Sequence, residues 1–478
     1  MPVAADYRPD PQYVALGGEF ADVVAPADFP QAIVRWRNQR WAERLGLGEL
    51  TEDEWISAFA SFEPLPGNQP QPLAMRYHGH QFRSYNPDIG DGRGFLFAQL
   101  RDRTGRLLDF GTKGSGETPY SRFGDGRLTL KGGMREVLAT EMLEALGVPT
   151  SKSFSLIETG EALERNDEPS PTRSSVLVRL SWSHIRFGTF QRLAYFDRAD
   201  LTRQLIDHVV EQYYPELLPV TGDERAVALL RAVVARAADL TAAWMSAGFV
   251  HGVLNTDNMN ITGESFDYGP YRFLPKNDPN FTAAYFDHSG LYAFGRQPEA
   301  VFWNLQQLAG CFTVLLTEDH TPLVEALNGF APAYMDALRL RMLGRLGVRS
   351  RSPDEDVDLV NALFRALSAG GERVRWEPVF FDWFGGAASE GRALAGARGE
   401  VYAEETFADF RSRLAPYEPE RPQRLQHAYF GAAEPEELLI DEIEGLWAAI
   451  ADRDDWGPFE SKLQRIGAAR EAWGLAAG

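Results

Sequence analysis

Asp257, Asn258 and Asp267, in the segment HGVLNTDNMNITGESFDYG (251–269), have the residue types that metal and phosphate chemistry needs. Asn258 and Asp267 offer the oxygen donors that Mg²⁺ or Mn²⁺ takes beside a polyphosphate. Asp257 offers a carboxylate able to accept a proton from an attacking hydroxyl, although an aspartate in such a turn serves equally well as a cap. Upstream, Lys113 closes the run RLLDFGTK and Glu136 follows in GGMREV. That pair could hold an ammonium against nucleotide phosphates. Arg179 and Arg186, in VRLSWSHIRFGTF, could grip a phosphate through two donors each, or form ordinary surface ion pairs.

The spacing within 251–269 narrows the chemistry. In protein kinases a His-x-Asp opens the catalytic loop, an Asn five residues beyond that Asp binds metal, and a later Asp-Phe-Gly adds a second metal ligand. Here His251 and Asn258 keep those places, Asp267-Tyr268-Gly269 stands for the Asp-Phe-Gly, and the base position is Val253. A valine accepts no proton. Asp257 is the remaining carboxylate, displaced along the loop, so the segment suits nucleotide and metal with a different reaction on top.

Gly90, Gly92 and Gly94 in DIGDGRGF would let backbone amides approach an anion, with Arg93 as a mobile charge among them; a plain turn explains the same cluster. Neither G-x-G-x-x-G nor G-x-x-x-x-G-K-[ST] occurs here, which excludes a Walker-type loop. A second Gly-rich stretch, GSGETPYSRFGDGR (114–127), brings Asp125, Gly126 and Arg127 toward Lys113. His78 and His80 have no third ligand at metal spacing, which favours a structural role.

The elements that must position these residues change character along the chain. Residues 1–70 are rich in Pro and short apolar pieces and are expected to wrap the body, with one helical stretch at 32–45. GFLFAQLRD and RLLDFGTKG flank a polar turn at 103–105 and predict a β-hairpin ending at Lys113. GGMREVLATEMLEALG places Met134, Val137, Leu138, Met142 and Leu146 on one helical face before Gly147. Strands are expected at 151–161 and 174–182. From about 196 the pattern is helical, including a long helix leading into His251 and helices at 299–317, 322–345, 355–368 and 436–452. The expectation is α+β: a small β-rich lobe with one key helix (71–190), a large mainly α lobe (191–410) and a C-terminal helical appendage (411–478).

Forty-eight Lys and Arg against 68 Asp and Glu leave a net charge of −20, which argues against general affinity for nucleic acid or anionic membrane. A bound polyphosphate must therefore meet a local basic cluster. The single cysteine, Cys311, excludes an intrachain disulfide and sits in an apolar helical context. The N-terminus lacks the features of a signal or transit peptide, and no apolar run is long enough to span a bilayer, so a cytoplasmic location is expected.

Six motifs, YHGHQF, NPDIGDGRGFLFAQL, DFGTKGSGETPYSRFGDGR, SHIRFGTF, HGVLNTDNMNI and FDYGPYRFL, occur in the order found in the selenoprotein-O family of protein adenylyltransferases, which this chain resembles over roughly 70–310. The resemblance implies a protein-kinase-like bilobal fold that binds ATP reversed relative to kinases and transfers AMP to Ser, Thr or Tyr hydroxyls of proteins. It implies that Gly90, Gly92, Arg93, Lys113, Asp125, Gly126, Arg179, Arg186 and Asp267 hold the nucleotide, with Glu136 orienting Lys113. It further implies Asn258 and Asp267 as ligands of Mg²⁺ or Mn²⁺ and Asp257 as proton acceptor. Val253 then has a physical sense, because a reversed triphosphate moves the reacting phosphorus away from a kinase-placed base. The chain departs from the family at its end, EAWGLAAG, which lacks the Cys or selenocysteine often found there. The last 60 or so residues are expected to match poorly, and a monomer is expected.

Three activities compete at this point. AMP transfer from ATP, with UMP from UTP as a close variant, is favoured by the displaced carboxylate. Ordinary phosphoryl transfer is disfavoured by Val253. A pseudokinase scaffold binding nucleotide only as a structural ligand is disfavoured by the retained Asp257, Asn258 and Asp267.

Overall fold

The apolar runs on either side of Arg103-Thr104-Gly105 fold as expected into antiparallel strands, because each can bury side chains on both faces of a sheet. A computed structural model describes residues 4–316 and 319–475. In chain order its first elements are β1 (Ala21–Val23), β2 (Ile33–Arg37), α1 (Gln39–Arg44), α2 (Glu52–Phe59), β3 (Leu73–Met75), β4 (Gly79–Gln81), β5 (Ser84–Asn86), β6 (Leu96–Arg101), β7 (Leu107–Lys113), β8 (Leu128–Thr129), α3 (Leu130–Ala145), β9 (Lys152–Leu163) and β10 (Thr172–Ser181). The main sheet is antiparallel, in the order β1-β3-β6-β7-β10-β9-β2, with β8 paired to β10. Both ends of this sheet come from the first 40 residues, so the N-terminal segment is built into it.

One face of the sheet is closed by aromatic packing. Trp55 of α2 stacks on Phe154 at 5.1 Å, and Phe59 lies against Phe97, Phe110 and Phe154. The other face carries α3, whose N-cap Thr129 accepts a hydrogen bond from Gly132 N. At Gly133 a Cβ would come within 2.4 Å of Leu156 Cδ1 and 2.7 Å of Ser175 Oγ, so glycine lets the helix lie directly on β9 and β10. The far side of α3 is clasped by ions. Arg40 pairs with Glu141 and Glu144, Lys152 lies 3.8 Å from Glu144, and Arg470 of the helix Gly457–Trp473 pairs with Glu141.

The chain then becomes helical: α4 (Phe187–Tyr195), α5 (Ala199–Tyr213) and α6 (Asp223–Ser246) precede β11 (Phe249–Val250), β12 (Arg272–Phe273) and α7 (Gln297–Phe312). Helices at Thr321–Asn328, Phe330–Leu346, Pro353–Gly370 and Ile440–Arg453 follow among others. β11 pairs with β12, so residues 251–271 form a loop pinned at both ends. Cys311 is buried, its thiol donating to Gln307 O at 3.2 Å. No helix among the described residues is long and apolar enough to cross a membrane.

Candidate active site

The buried end of β7, the middle of α3 and the pinned loop converge on one ion cluster. Lys113 Nζ donates to Glu136 Oε1 at 2.5 Å and to Asp267 Oδ1 at 2.6 Å. Lys113 and Glu136 are 5% and 1% exposed, so this is a buried pair rather than a solvated one. Arg179, from β10, reaches Asp267 Oδ1 at 3.4 Å, and Asn258 Nδ2 donates to Asp267 Oδ2 at 3.0 Å. Asp267 adopts φ +67°, a left-handed backbone that turns its carboxylate into the cluster. Desolvation opposes its charge, but Lys113, Arg179 and Arg93 outweigh that and hold the carboxyl well below the usual range.

Arg186 caps the start of α4 and is fully desolvated. Its Nη1 donates to Asp91 Oδ1 at 2.8 Å, and its guanidinium lies 4.2 Å from the Tyr77 ring centroid and 5.3 Å from that of Phe266. Asp257 stands apart from these pairs. Its Oδ1 is buried and has no hydrogen-bond partner, and burial pushes the carboxyl up to about 6, opposed by Arg186. A proton acceptor with a raised pKa and a free lone pair is the form in which general bases occur.

The turn carrying Asp257 is braced by a hairpin. β4 and β5 pair, His80 N donates to Thr256 Oγ1 at 2.7 Å, and Phe82 N donates to Asn255 Oδ1 at 3.0 Å. His78 bonds Tyr85 Oη and His80 bonds Gln191 through their Nδ1 atoms, so both histidines serve packing as expected. His251 is likewise structural: its Nε2 meets Phe266 O at 3.0 Å, fixing the residue before Asp267.

Lys113, Arg93, Arg179, Arg186, Asp257, Asp267, Asp125, Gly90, Gly92 and Gly126 all line one cavity of about 690 Å³. Glu136 lies behind Lys113, and Asn258 reaches the cavity through Asp267. The two Gly-rich loops pack on each other, a Cβ at Gly90 meeting the Tyr120 ring at 2.5 Å and one at Gly92 meeting Tyr120 O at 2.8 Å. Asp125 is held at the mouth by Arg165, at 2.8 and 3.1 Å. Sequence reasoning missed Tyr77, Gln81, Asp91 and Arg165 as lining residues; YHGHQF and DIGDGRG already contained the first three.

The donor set suits a hard divalent cation. Asn258 and Asp267 are adjacent oxygen-bearing side chains, and Asp257 lines the same cavity as Asp267. No group of three or more His, Cys, Asp or Glu with metal geometry occurs among the described residues, so phosphate oxygens and water would complete the shell.

A family model described as "Protein adenylyltransferase SelO" matches residues 3–467. A protein from Synechocystis named protein nucleotidyltransferase YdiU is 45% identical over 96% of this chain and 97% of its own length. Proteins of the same name from Synechococcus elongatus and Rhodopseudomonas palustris are 46% and 37% identical, each over 95% of this chain, covering 94% and 92% of their own lengths. The match therefore extends far beyond 70–310, and the expectation that the last 60 residues would align poorly is corrected. Helical surface sequence drifts without leaving the family, because many residues cover the same apolar face.

Proposed function

The chain belongs to the SelO family, and on that premise we propose that it is a nucleotidyltransferase that moves AMP from ATP to Ser, Thr or Tyr hydroxyls of proteins. The observation that carries this reading is Asp257, which lines the same cavity as Arg93, Lys113, Arg179 and Arg186 and whose buried Oδ1 has no hydrogen-bond partner. Asp91, Asp125 and Asp267 of the same cavity are held by Arg186, Arg165 and Lys113. A carboxylate outside those pairs, set against a field of cations, suits attack by a neutral hydroxyl on a polyphosphate.

In this reaction the hydroxyl oxygen bonds to the α-phosphorus as the bond from that phosphorus to the bridging oxygen breaks. The hydroxyl proton passes to the Asp257 carboxylate, and pyrophosphate departs with the electron pair. Arg179 and Arg186 balance charge developing on the phosphates, and Glu136 keeps Lys113 aimed at them. Gly90, Gly92, Arg93, Asp125 and Gly126 hold the nucleotide from the two loops. Asn258 and Asp267 would hold Mg²⁺ or Mn²⁺, which supplies Lewis-acid neutralisation of the phosphates. The arrangement of sheet, α3 and helical region is consistent with a kinase-like bilobal fold, with lobes at 71–190 and 191–410 and with β1 and β2 of the N-terminal segment added to the sheet of the first.

The test is incubation with ATP labelled at the α or the γ position, read by label on protein and by intact mass. Label from the α position with an added AMP supports the reading. Label from the γ position alone would establish ordinary phosphoryl transfer instead.

A further inference from the structure

We propose that the groove beneath α3 is an anion site that receives the departing pyrophosphate, with Arg135 and Arg272 as its cations. The inference rests on the nucleotidyl-transfer reading and names a path which that reading leaves open. The groove encloses about 480 Å³ and shares Arg93 and Lys113 with the main cavity; Asp257 lines the main cavity and not the groove.

Arg135 precedes Glu136 on α3, and Arg272 lies on β12. Arg135 Nη2 donates to Gly269 O and Tyr271 O, both at 3.2 Å, and Arg272 Nη1 donates to Pro270 O at 3.1 Å and Tyr271 O at 3.0 Å. The two guanidinium groups thus converge on one carbonyl, and neither forms an ion pair among the described residues. Their neighbours differ: Lys131 pairs with Glu444 at 2.7 Å and Arg127 with Glu161 at 2.9 Å. Arg135 is only 9% exposed, so its charge is largely desolvated without a counter-ion. Glu136, Asp167, Glu168 and Glu444 also line the groove, Glu136 and Glu444 being paired with Lys113 and Lys131. Arg135 and Arg272 are thus two adjacent cations with no carboxylate in ion-pair contact among the described residues, and an anion would relieve their field.

Direction follows from the reaction. In-line displacement puts the leaving group opposite the attacking hydroxyl, and the hydroxyl must reach Asp257. The pyrophosphate therefore leaves on the side away from Asp257, where Arg93 and Lys113 open into the groove. Arg135 and Arg272 lie further along it, beyond the reaction centre.

The experiment uses the full chain, titrated by calorimetry with inorganic pyrophosphate and separately with ATP, for wild type, Arg272→Gln and Arg272→Lys. Loss of one charge-assisted contact raises the pyrophosphate Kd of Arg272→Gln about tenfold, with Arg272→Lys close to wild type and the ATP Kd within about twofold throughout. The product-inhibition constant for pyrophosphate rises by the same factor. Unchanged pyrophosphate binding in Arg272→Gln overturns the proposal, and so does equal weakening of pyrophosphate and ATP, which would put the anion in the nucleotide's own phosphate site. Failure of the AMP-transfer reading is separate: it shows as absent α-label while the calorimetry is unaffected.

Discussion

Lys113 and Asp267, 154 positions apart in sequence, meet at 2.6 Å, and through them the last residue of β7 is tied to the loop between β11 and β12. Lys113 also holds Glu136, whose second oxygen is buried without a partner. Removing the ammonium leaves a desolvated carboxylate on α3 facing Asp267. Lys113→Met is expected to destabilise the fold by about 3–5 kcal/mol in urea denaturation and to lower AMP transfer at least ~100-fold. Adding Glu136→Gln to Lys113→Met recovers much of the stability and none of the activity. A double variant as unstable as the single one would show that the pair does not carry the coupling.

Asp257→Asn keeps the shape of the braced turn and removes the carboxylate proposed to accept the proton. The rate of AMP incorporation is expected to fall by about 10²–10⁴, with ATP affinity by calorimetry little changed. Equal losses in rate and affinity would assign Asp257 to nucleotide binding instead.

Much of this site was legible because its parts follow local rules. The hairpin ending at Lys113 and the amphipathic α3 were set by periodicity, and the order of Asn258 and Asp267 was set by loop spacing. Elements fixed by distant partners were not legible. β1 and β2 are three and five residues long and gain their hydrogen bonds from β3 and β9, far along the chain. The helix expected over 322–345 divides at Gly329, where two helices meet end to end. Tyr77 and Asp91 sit in irregular segments and Gln81 ends the three-residue β4, so although the motifs contain all three, only the fold brings them to Arg186 and Asp257.

The clasp behind α3 titrates. Desolvation pushes the Glu144 carboxyl up, but Lys152, Arg40 and Arg470 pull it further down, from an ordinary 4.5 to about 2. A carboxyl lowered in the folded state stabilises it fully above its unfolded pKa, and that contribution is lost as pH falls from about 4.5 toward 2. The urea midpoint of wild type is therefore expected to drop more steeply as pH falls from about 4.5 toward 2 than that of Glu144→Gln. Parallel pH profiles would show that Glu144 carries no such linkage.

Thr256 ties the β4–β5 hairpin to the turn carrying Asp257, the proposed base. Its hydroxyl accepts from His80 N at 2.7 Å and donates to Gln191 Oε1 at 2.6 Å, one residue before Asp257. Thr256→Val keeps the volume but leaves both groups unsatisfied in a buried setting, at a cost of about 1–3 kcal/mol. The chemical step should suffer more than nucleotide binding, because Asp257 loses its brace while Arg93, Lys113 and Arg179 are untouched. The expected signature is a lowered kcat with an unchanged KM for ATP. A stability loss with unaltered kcat would show that the turn holds its shape without the hairpin.

Gly126 is the position where backbone form and nucleotide affinity can be separated. Its φ is +67°, and a Cβ there would lie 2.2 Å from the carbonyl carbon and oxygen of Gly116. Gly116 N in turn donates to Gly126 O at 3.2 Å, so the two ends of the second Gly-rich loop lock together. An alanine cannot be absorbed by side-chain movement, since what it meets is backbone; the loop must open, carrying Asp125 away from the cavity mouth. Gly105 supplies the control, because its φ of +86° imposes similar backbone strain while nothing lies within 4 Å of a Cβ. Gly126→Ala is expected to raise the KM for ATP about tenfold, and Gly105→Ala to leave it unchanged, with both losing about 1–2 kcal/mol of stability from the left-handed backbone. Equal KM values in the two variants would remove Gly126 from the nucleotide site and leave it a loop glycine only.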